Sequence, residues 1–319
     1  MFINKLVNKT LGFSVSCLTV LGLSGCSKKL DHKEISQLYA EKLEPENGTL
    51  KVYHLGHSLV GQNMPYMLEQ LADNRQGKGH KYHSQLGWGA TLKSHWDPEV
   101  PINGFESENN HNYYRDAFKA IESQEYDAFV LTEMVEIKDA IKYFDADNNL
   151  TNFARKISTE SPKSRIYFYE SWHQVTDPEG WINRLDNDLE KYWERQILHK
   201  ALANLDGEVT IYLIPVGQVF SAFFKEIERT GGVEGIRRPE DIFDRKEDGT
   251  LDVIHINDLG AYFVALVHYA VLYRKDPSGL SYRLKRVDGS EATTPSAEAA
   301  ELMQRITWEV VSRMEKTGI

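Results

Sequence analysis

Four short runs of apolar residues recur along the middle of the chain. They are rich in Val, Ile, Tyr and Phe and interrupted by few polar positions: TLKVYHLG (49–56), YDAFVLTE (126–133), SRIYFYES (164–171) and EVTIYLIPVG (208–217). A continuous apolar run is typical of a strand that is buried on both faces. The pattern therefore predicts strands at the centre of a parallel sheet.

Segments of helical character separate these strands. The predicted helices cover residues 64–74, 114–123, 150–159, 181–205 and 218–230. Strands that alternate with helices predict an α/β fold, in which helices cover both faces of a parallel sheet. No internal repeat is visible, and we expect one domain over residues 48–319.

Charge limits the partners of this domain. The 319-residue chain is 41% hydrophobic and 26% charged, as in ordinary globular proteins, and its formal net charge is −10. Nucleic-acid binding needs clustered Lys and Arg to neutralise phosphates, and no such cluster is visible. The charge favours a neutral or cationic partner and argues against nucleic acid.

The N-terminus has the pattern of an export signal. Lys5 and Lys9 precede the apolar stretch TLGFSVSCLTVLGLSG, which ends next to Cys26. The sequence LSGC (23–26) resembles a bacterial lipobox, which implies that residues 1–25 are removed and that Cys26 carries a lipid anchor. A plain signal peptide or a single N-terminal anchor are the alternatives. Polar residues 26–47 would form a tether, and the protein would lie on the bacterial cell envelope, at the outer membrane or periplasmic face of a Gram-negative cell.

Ser58 lies at the corner between the first predicted strand and the next helix, in KVYHLGHSLVGQNMP (51–65). Ligands of open parallel sheets bind at the carboxyl ends of the strands, so the position suits a nucleophile. Serine before a helix is also a common N-cap. These residues alone leave both interpretations open.

A nucleophilic serine needs a base, and the base needs an orienting carboxylate. The segment LDVIHINDLGAY (251–262) places Asp252 three residues before His255, just before a long apolar helix. If both residues lie on one loop, the carboxylate can accept the proton of one ring nitrogen while the other nitrogen faces the serine. The pair is therefore a candidate for the remainder of a catalytic triad.

Three blocks together resemble the SGNH (GDSL-like) hydrolases: GHSL, QLGWGA, and the Asp-x-x-His block followed by INDLGAY, over about residues 48–275. The resemblance implies a three-layer α/β/α, flavodoxin-like fold and a serine esterase that forms an acyl-enzyme. Ser58 would be the nucleophile, His255 the base and Asp252 its partner. The backbone amides of Ser58 and of Gly89, or otherwise Gly87, would hold the oxyanion. The expected substrate is a small-molecule or glycan ester, with a carbohydrate acetylesterase favoured and no metal or cofactor expected.

The sequence departs from this family after the strand at 126–133. The family places there an asparagine that donates to the oxyanion, whereas this chain has Thr132 and Glu133. We expect Gln62, Asn63 or Thr132 to supply the missing donor, and Glu133 to hold a substrate hydroxyl or a neighbouring backbone group. Glu133 could equally be an ordinary charged residue at a strand end. The missing asparagine also supports an alternative, a non-catalytic glycan-binding surface lipoprotein with a degraded site.

Aromatic residues and histidines cluster near the same blocks. Trp88 and Trp172 are candidates for stacking on a sugar, or else anchors of loops. Six histidines fall between positions 54 and 111 and raise a third possibility, a metal-dependent hydrolase. Because strand residues three apart point to opposite faces, the histidine spacings do not predict a metal site.

Overall fold

The computed structural model describes residues 29–319. The predicted export signal and Cys26 lie outside these residues. The central sheet has five parallel strands in the order β2-β1-β3-β4-β5, which is the flavodoxin-like order. Their bounds are β1 Lys51–His57, β2 Lys81–Gly87, β3 Ala128–Thr132, β4 Arg165–Glu170 and β5 Ile211–Pro215. The predicted α/β fold with a parallel sheet is confirmed.

Helices cover both faces of the sheet. In chain order they are α1 His32–Leu38, α2 Asn63–Gln76, α3 Leu92–Trp96, α4 Phe105–Asn109, α5 Ala117–Glu122, α6 Ile137–Tyr143, α7 Ala146–Glu160, α8 Trp181–Asp188, α9 His199–Asn204, α10 Val216–Thr230, α11 Asp258–Tyr273 and α12 Ala297–Val311. A π-helical stretch, Leu189–Leu198, joins α8 to α9. Short 3₁₀ turns cover Pro239–Ile242 and Glu315–Thr317, and β6 (Phe243–Arg245) and β7 (Leu251–Ile256) form a separate antiparallel hairpin.

Two hydrophobic clusters, one on each face, form the core. The first joins α2, α10, α11 and α12, and the second joins α1, α5, α7 and α9. Helix α11 is buried along nearly all its length, which explains its apolar sequence. Among the described residues, no helix combines the length and the apolar character that crossing a membrane requires.

The start of α11 is held tightly against the hairpin that precedes it. The Asn257 side chain caps the helix by accepting from the amides of Leu259 and Gly260. A Cβ atom at Gly260 would lie 2.6 Å from Cβ of Ile256 and 2.7 Å from the carbonyl oxygen of Ile242. Glycine is therefore required for this close approach, which fixes β7 relative to the sheet.

Strand β2 was not predicted, because only Tyr82 and Leu86 of its sequence KYHSQLG have apolar side chains and three polar residues separate them. It lies at the edge of the sheet, where one strand face is less fully covered. The predicted tether also differs from the structure. Leu30, Ile35 and Tyr39 are buried in the second hydrophobic cluster, and the Tyr39 hydroxyl donates to the Ile211 carbonyl oxygen at 2.8 Å. Residues 30–47 thus pack against the domain instead of leading up to it, because these three apolar side chains are part of its core.

Candidate active site

Ser58 directly follows β1, at the carboxyl edge of the sheet. The residue before it, His57, fixes the turn: its Nε2 donates to the Glu133 carbonyl oxygen at 2.8 Å, and its Nδ1 accepts from the Leu59 amide at 3.2 Å. Burial lowers the pKa of His57 to about 4, so the ring is neutral. The histidine in the GHSL corner therefore shapes the turn around Ser58.

The structure brings Ser58, His255 and Asp252 together. Oγ of Ser58 lies 3.0 Å from Nε2 of His255, and Nδ1 of His255 lies 2.9 Å from Oδ2 of Asp252. The other carboxylate oxygen of Asp252 accepts from the amides of Ile254 and His255, both at 3.0 Å. This chain of contacts has the geometry of a serine–histidine–aspartate triad.

Two opposing effects act on the Asp252 carboxylate. Burial raises its pKa, but the amides of His255 and Ile254 and the His255 ring lower it, and the net pKa lies below the ordinary value. Asp252 is therefore ionised at neutral pH and accepts from Nδ1–H of His255. That tautomer leaves the Nε2 lone pair directed toward the Ser58 hydroxyl.

Asp252 and His255 lie on strand β7, not on a loop as expected. The hairpin is pinned to the segment after β4 by two hydrogen bonds. Trp172 Nε1 donates to the Ile254 carbonyl oxygen, and the Val175 amide donates to the Val253 carbonyl oxygen, both at 2.8 Å. The base is thus held by contacts from outside its own hairpin.

Gly87 and Gly89 belong to the second block, QLGWGA, and lie at the end of β2 and just after it. Gly87 ends β2, where it is the register partner of His57, and a Cβ atom there would lie 2.2 Å from Cγ2 of Ile102. Gly89 has φ +54°, a left-handed conformation that favours glycine. Within residues 29–319, the amides of Ser58 and Gly89 donate to no protein acceptor. Both amides are free to bind a substrate oxygen.

Thr132 does not suit the role of the missing oxyanion donor. Its side chain is fully buried, and its hydroxyl already donates to the Tyr169 carbonyl oxygen at 2.8 Å. The remaining candidates, Gln62 and Asn63, line the crevice beside Ser58. Asn63 Oδ1 accepts from the Val287 amide at 3.1 Å, which leaves its NH₂ group as the possible donor.

Glu133 is also fully buried, so it does not bind a substrate hydroxyl. Its carboxylate accepts from the amides of Met134 at 2.9 Å and Leu92 at 3.3 Å. Burial outweighs these two contacts and raises its pKa to about 7. Since Leu92 begins α3 directly after the glycine block, Glu133 ties the end of β3 to the loop that carries Gly89.

The two tryptophans have different surroundings. Trp172 is fully buried and contacts the catalytic hairpin, so it cannot stack on a substrate. The prediction that it binds substrate is wrong, because its ring is covered by the first hydrophobic cluster. Trp88 is 55% exposed, next to Gly89.

A crevice of about 280 Å³ opens beside Ser58 and His255. Asp244, Arg286 and Thr293 also line this crevice, and none of them was predicted from the sequence as a site residue. Arg286 pairs with Asp258 through Nε at 3.0 Å and Nη2 at 2.5 Å, so its charge is already neutralised. The segment around Arg286 has no regular periodicity, and no pattern in the sequence pointed to it.

The six histidines between positions 54 and 111 do not form a shared site. His54 and His80 lie in the core, where Nδ1 of His80 meets the Tyr273 hydroxyl at 2.7 Å, and His95 Nε2 donates to the Gly56 carbonyl oxygen at 2.8 Å. In the part of the chain that the structure describes, no three or more His, Cys, Asp or Glu side chains are grouped so that they could hold a metal ion.

No protein-family model matches the chain, and no curated protein matches it. Several solved structures are similar to the chain. A DUF4886 family protein from Bacteroides uniformis ATCC 8492 is 12% identical, with a TM-score of 0.51, over 83% of this chain and 95% of that chain. The lipase Lip_vut3 from a goat rumen metagenome is 10% identical, with a TM-score of 0.41, over 70% and 98%. A Clostridium thermocellum family 3 carbohydrate esterase is 13% identical, with a TM-score of 0.38, over 69% and 94%. The first likeness supports the fold, and at this identity it assigns no activity.

Proposed function

We propose that the protein is a serine ester hydrolase that acts through an acyl-enzyme. The observation that carries the proposal is the continuous path of contacts from Ser58 through His255 to Asp252, at the carboxyl edge of a parallel sheet. The resemblance of the GHSL, QLGWGA and Asp-x-x-His blocks to the SGNH hydrolases supports the same assignment.

The contacts among Ser58, His255 and Asp252 support one proton path. As Ser58 Oγ attacks the ester carbonyl carbon, His255 Nε2 takes the hydroxyl proton, and Asp252 stabilises the imidazolium that forms. The tetrahedral intermediate collapses, the ester C–O bond breaks, and His255 gives the proton to the departing alcohol oxygen. Water then attacks the acyl-enzyme with His255 as base, which releases a carboxylic acid and restores Ser58.

The amides of Ser58 and Gly89 would bind the oxyanion. A third donor from Gln62 or the NH₂ group of Asn63 would replace the asparagine of the family, since both residues line the crevice. Removing one such donor costs about a hundredfold or more in kcat. We therefore expect Gln62→Ala or Asn63→Ala to lower kcat on p-nitrophenyl acetate. Thr132→Val should leave kcat unchanged, since the Thr132 hydroxyl is already bonded to the Tyr169 carbonyl oxygen.

The substrate that we favour is an acetyl ester of a carbohydrate. The crevice beside Ser58 is lined mainly by polar groups, among them Gln62, Asn63 and Thr293, which suit a hydroxyl-rich alcohol better than a long acyl chain. The acidic chain favours a neutral substrate over an anionic one.

We further propose that Cys26 anchors the protein to the cell envelope through a lipid. Leu30, four residues later, packs near Gly207, just before the amino end of β5. Ser58 and His255 lie at the opposite, carboxyl edge. A short anchor at Cys26 would therefore leave the crevice facing away from the membrane, toward esters outside the bilayer.

Hydrolysis of p-nitrophenyl acetate by the full-length protein in mild detergent tests the proposal. We expect a pre-steady-state burst of p-nitrophenol and a loss of about 10³-fold or more in kcat for Ser58→Ala and His255→Ala. Ser158→Ala, on α7, is the control. An inactive parent on this ester and on acetylated glycans would contradict the proposal and favour the glycan-binding alternative.

A further inference from the structure

We infer that Trp88 and Glu108 form a sugar-binding subsite beside Ser58, which holds a neutral pyranose ring of the ester's alcohol portion. The inference rests on the proposed function and names its substrate more closely.

Position comes from the register of the sheet. His57 and Gly87 are partners on the adjacent parallel strands β1 and β2, whose spacing is about 4.8 Å. Ser58 and Trp88 are the residues that directly follow these two strands. Both therefore leave the same edge of the sheet side by side, and Gly89, the proposed oxyanion donor, follows Trp88.

The ring is held in one orientation. Its Nε1 donates to Oε1 of Glu108 at 2.9 Å, and its backbone amide donates to the Asn103 carbonyl oxygen at 2.7 Å. Gly104 lies directly against the ring, since a Cβ atom there would be 2.3 Å from Cδ2 of Trp88. One face of the indole is therefore covered by Gly104.

The segment that carries Glu108 is itself fixed to the sheet. The buried side chain of Asn109 accepts from the Leu86 amide at 3.0 Å and donates to the Leu86 carbonyl oxygen at 2.8 Å. Because Asn109 is next to Glu108, this pair of bonds holds the backbone of Glu108 close to the end of β2, which carries Trp88. The subsite is thus preorganised and loses little freedom when a ligand binds.

A large part of the indole remains in solvent. Among the described residues, Trp88 at 55% and Tyr143 at 58% are the large hydrophobic side chains that stay exposed. An indole that is already held in one orientation loses little freedom when a ligand covers its exposed surface, so this ring can serve as a stacking platform. The flat apolar ring suits the C–H face of a pyranose. Oε2 of Glu108, which meets no protein donor within residues 29–319, can accept a sugar hydroxyl at the ring edge.

The test compares two substrates of the full-length protein. The first is a partly acetylated xylo-oligosaccharide, and the second is p-nitrophenyl acetate, which has no sugar. For Trp88→Ala we expect the ratio of kcat/KM on the oligosaccharide to kcat/KM on the small ester to fall about tenfold, mainly through KM. Trp88→Phe should recover part of the loss, and Glu108→Gln should lower the ratio less. Tyr143→Ala is the matched control and should leave the ratio unchanged.

A binding measurement keeps the inference testable if no hydrolysis is found. Calorimetry would give the Kd of the same oligosaccharide for Ser58→Ala and for Ser58→Ala combined with Trp88→Ala. An unchanged ratio and an unchanged Kd would overturn the subsite while leaving the esterase proposal intact. Weaker binding in the double variant of a protein that hydrolyses no ester would uphold the subsite and overturn the esterase proposal.

Discussion

Nε1 of Trp172 donates to the carbonyl oxygen of Ile254, 2.8 Å away, in the residue directly before His255. The two residues are 82 positions apart in sequence, so this contact joins the loop after β4 to the hairpin that carries the base. Asp252 fixes the ring of His255, and Trp172 fixes the backbone on which both residues sit. The position of the base therefore depends on a side chain that does not reach the substrate.

We expect Trp172→Phe to lower kcat by more than its loss of stability can account for. The change leaves the Ile254 carbonyl oxygen without its donor, which costs about 1–3 kcal/mol, and a small displacement of the base costs roughly ten- to a hundredfold in kcat. Thermal unfolding and kcat on p-nitrophenyl acetate measure the two effects separately.

Trp181→Phe is the matched control for this prediction. Trp181 is also buried, and its Nε1 donates to the His173 carbonyl oxygen at 2.9 Å, while its ring packs against Phe243 on β6 and not through a hydrogen bond to β7. The two variants should lose similar stability, but the large fall in kcat should be confined to Trp172→Phe. Equal falls in kcat would show that Trp172 acts through general stability alone.

Asp252→Asn should reduce kcat by about 10³- to 10⁴-fold with the fold intact. The amide can still accept from Ile254 and His255, but its NH₂ group cannot accept from Nδ1–H, so His255 would take the tautomer that presents a proton to Ser58. Asp244→Asn is the control, since Asp244 lines the same crevice but its carboxylate accepts only from the Arg245 amide within the described residues. Comparable losses in the two variants would remove Asp252 from its proposed role.

Gly89→Ala tests the oxyanion loop. Nothing lies within 4 Å of a Cβ atom at Gly89, so the cost arises from its φ of +54° and is about 1–2 kcal/mol. Relief of that strain would turn the Gly89 amide away, and we expect kcat to fall about a hundredfold. Gly235→Ala, at φ +84° with equally open space, should lose similar stability and keep its kcat. Retained activity in Gly89→Ala would exclude this amide as a donor.

The central part of the fold could be predicted because its strands are buried on both faces. Strands β1, β3, β4 and β5 are continuous apolar runs, and the structure has them within a few residues of the predicted bounds. Strand β2 was missed because an edge strand keeps polar residues such as Lys81 and His83. Residues 26–47 were predicted to form a tether, because the apolar side chains of Leu30, Ile35 and Tyr39 are a weak signal among many charged ones.

The site was predictable where residue type and spacing carry the chemistry. Ser58, Asp252 and His255 were named from their blocks, and the structure brings them within hydrogen-bond distance. The roles of Thr132 and Trp172 were not predictable, since a buried anchor and an exposed binder have the same residue type. Only the contacts with Tyr169 and Ile254, which come from distant strands, distinguish them.

A second buried glutamate makes stability depend on pH. Glu170 ends β4 and is fully buried, with Oε1 accepting from Nε2 of Gln218 at 2.8 Å. Burial outweighs the contacts from Gln218 and raises the pKa of Glu170 to about 8. The native carboxyl group therefore keeps its proton over a range in which the unfolded chain, with a pKa of about 4.3, has released it.

The sign of the effect follows from proton binding. Between about pH 4.3 and pH 8 the native state binds one more proton at Glu170 than the unfolded state, so stability falls as the pH rises, by up to about 5 kcal/mol. Above pH 8 both states are ionised, and this contribution no longer changes. Glu133, with a pKa of about 7, acts in the same direction over a narrower range.

Glu170→Gln resembles the protonated side chain at every pH. We expect its stability to equal that of the parent near pH 5 and to exceed it by several kcal/mol, of the order given by the pKa shift, at pH 8.5. Urea unfolding at a series of pH values measures the difference. Glu228→Gln, at an exposed position of α10, should run parallel to the parent. If the curves of Glu170→Gln and the parent were also parallel, Glu170 would have to be ionised in the native state, and Gln218 would then stabilise its charge more strongly than burial disfavours it.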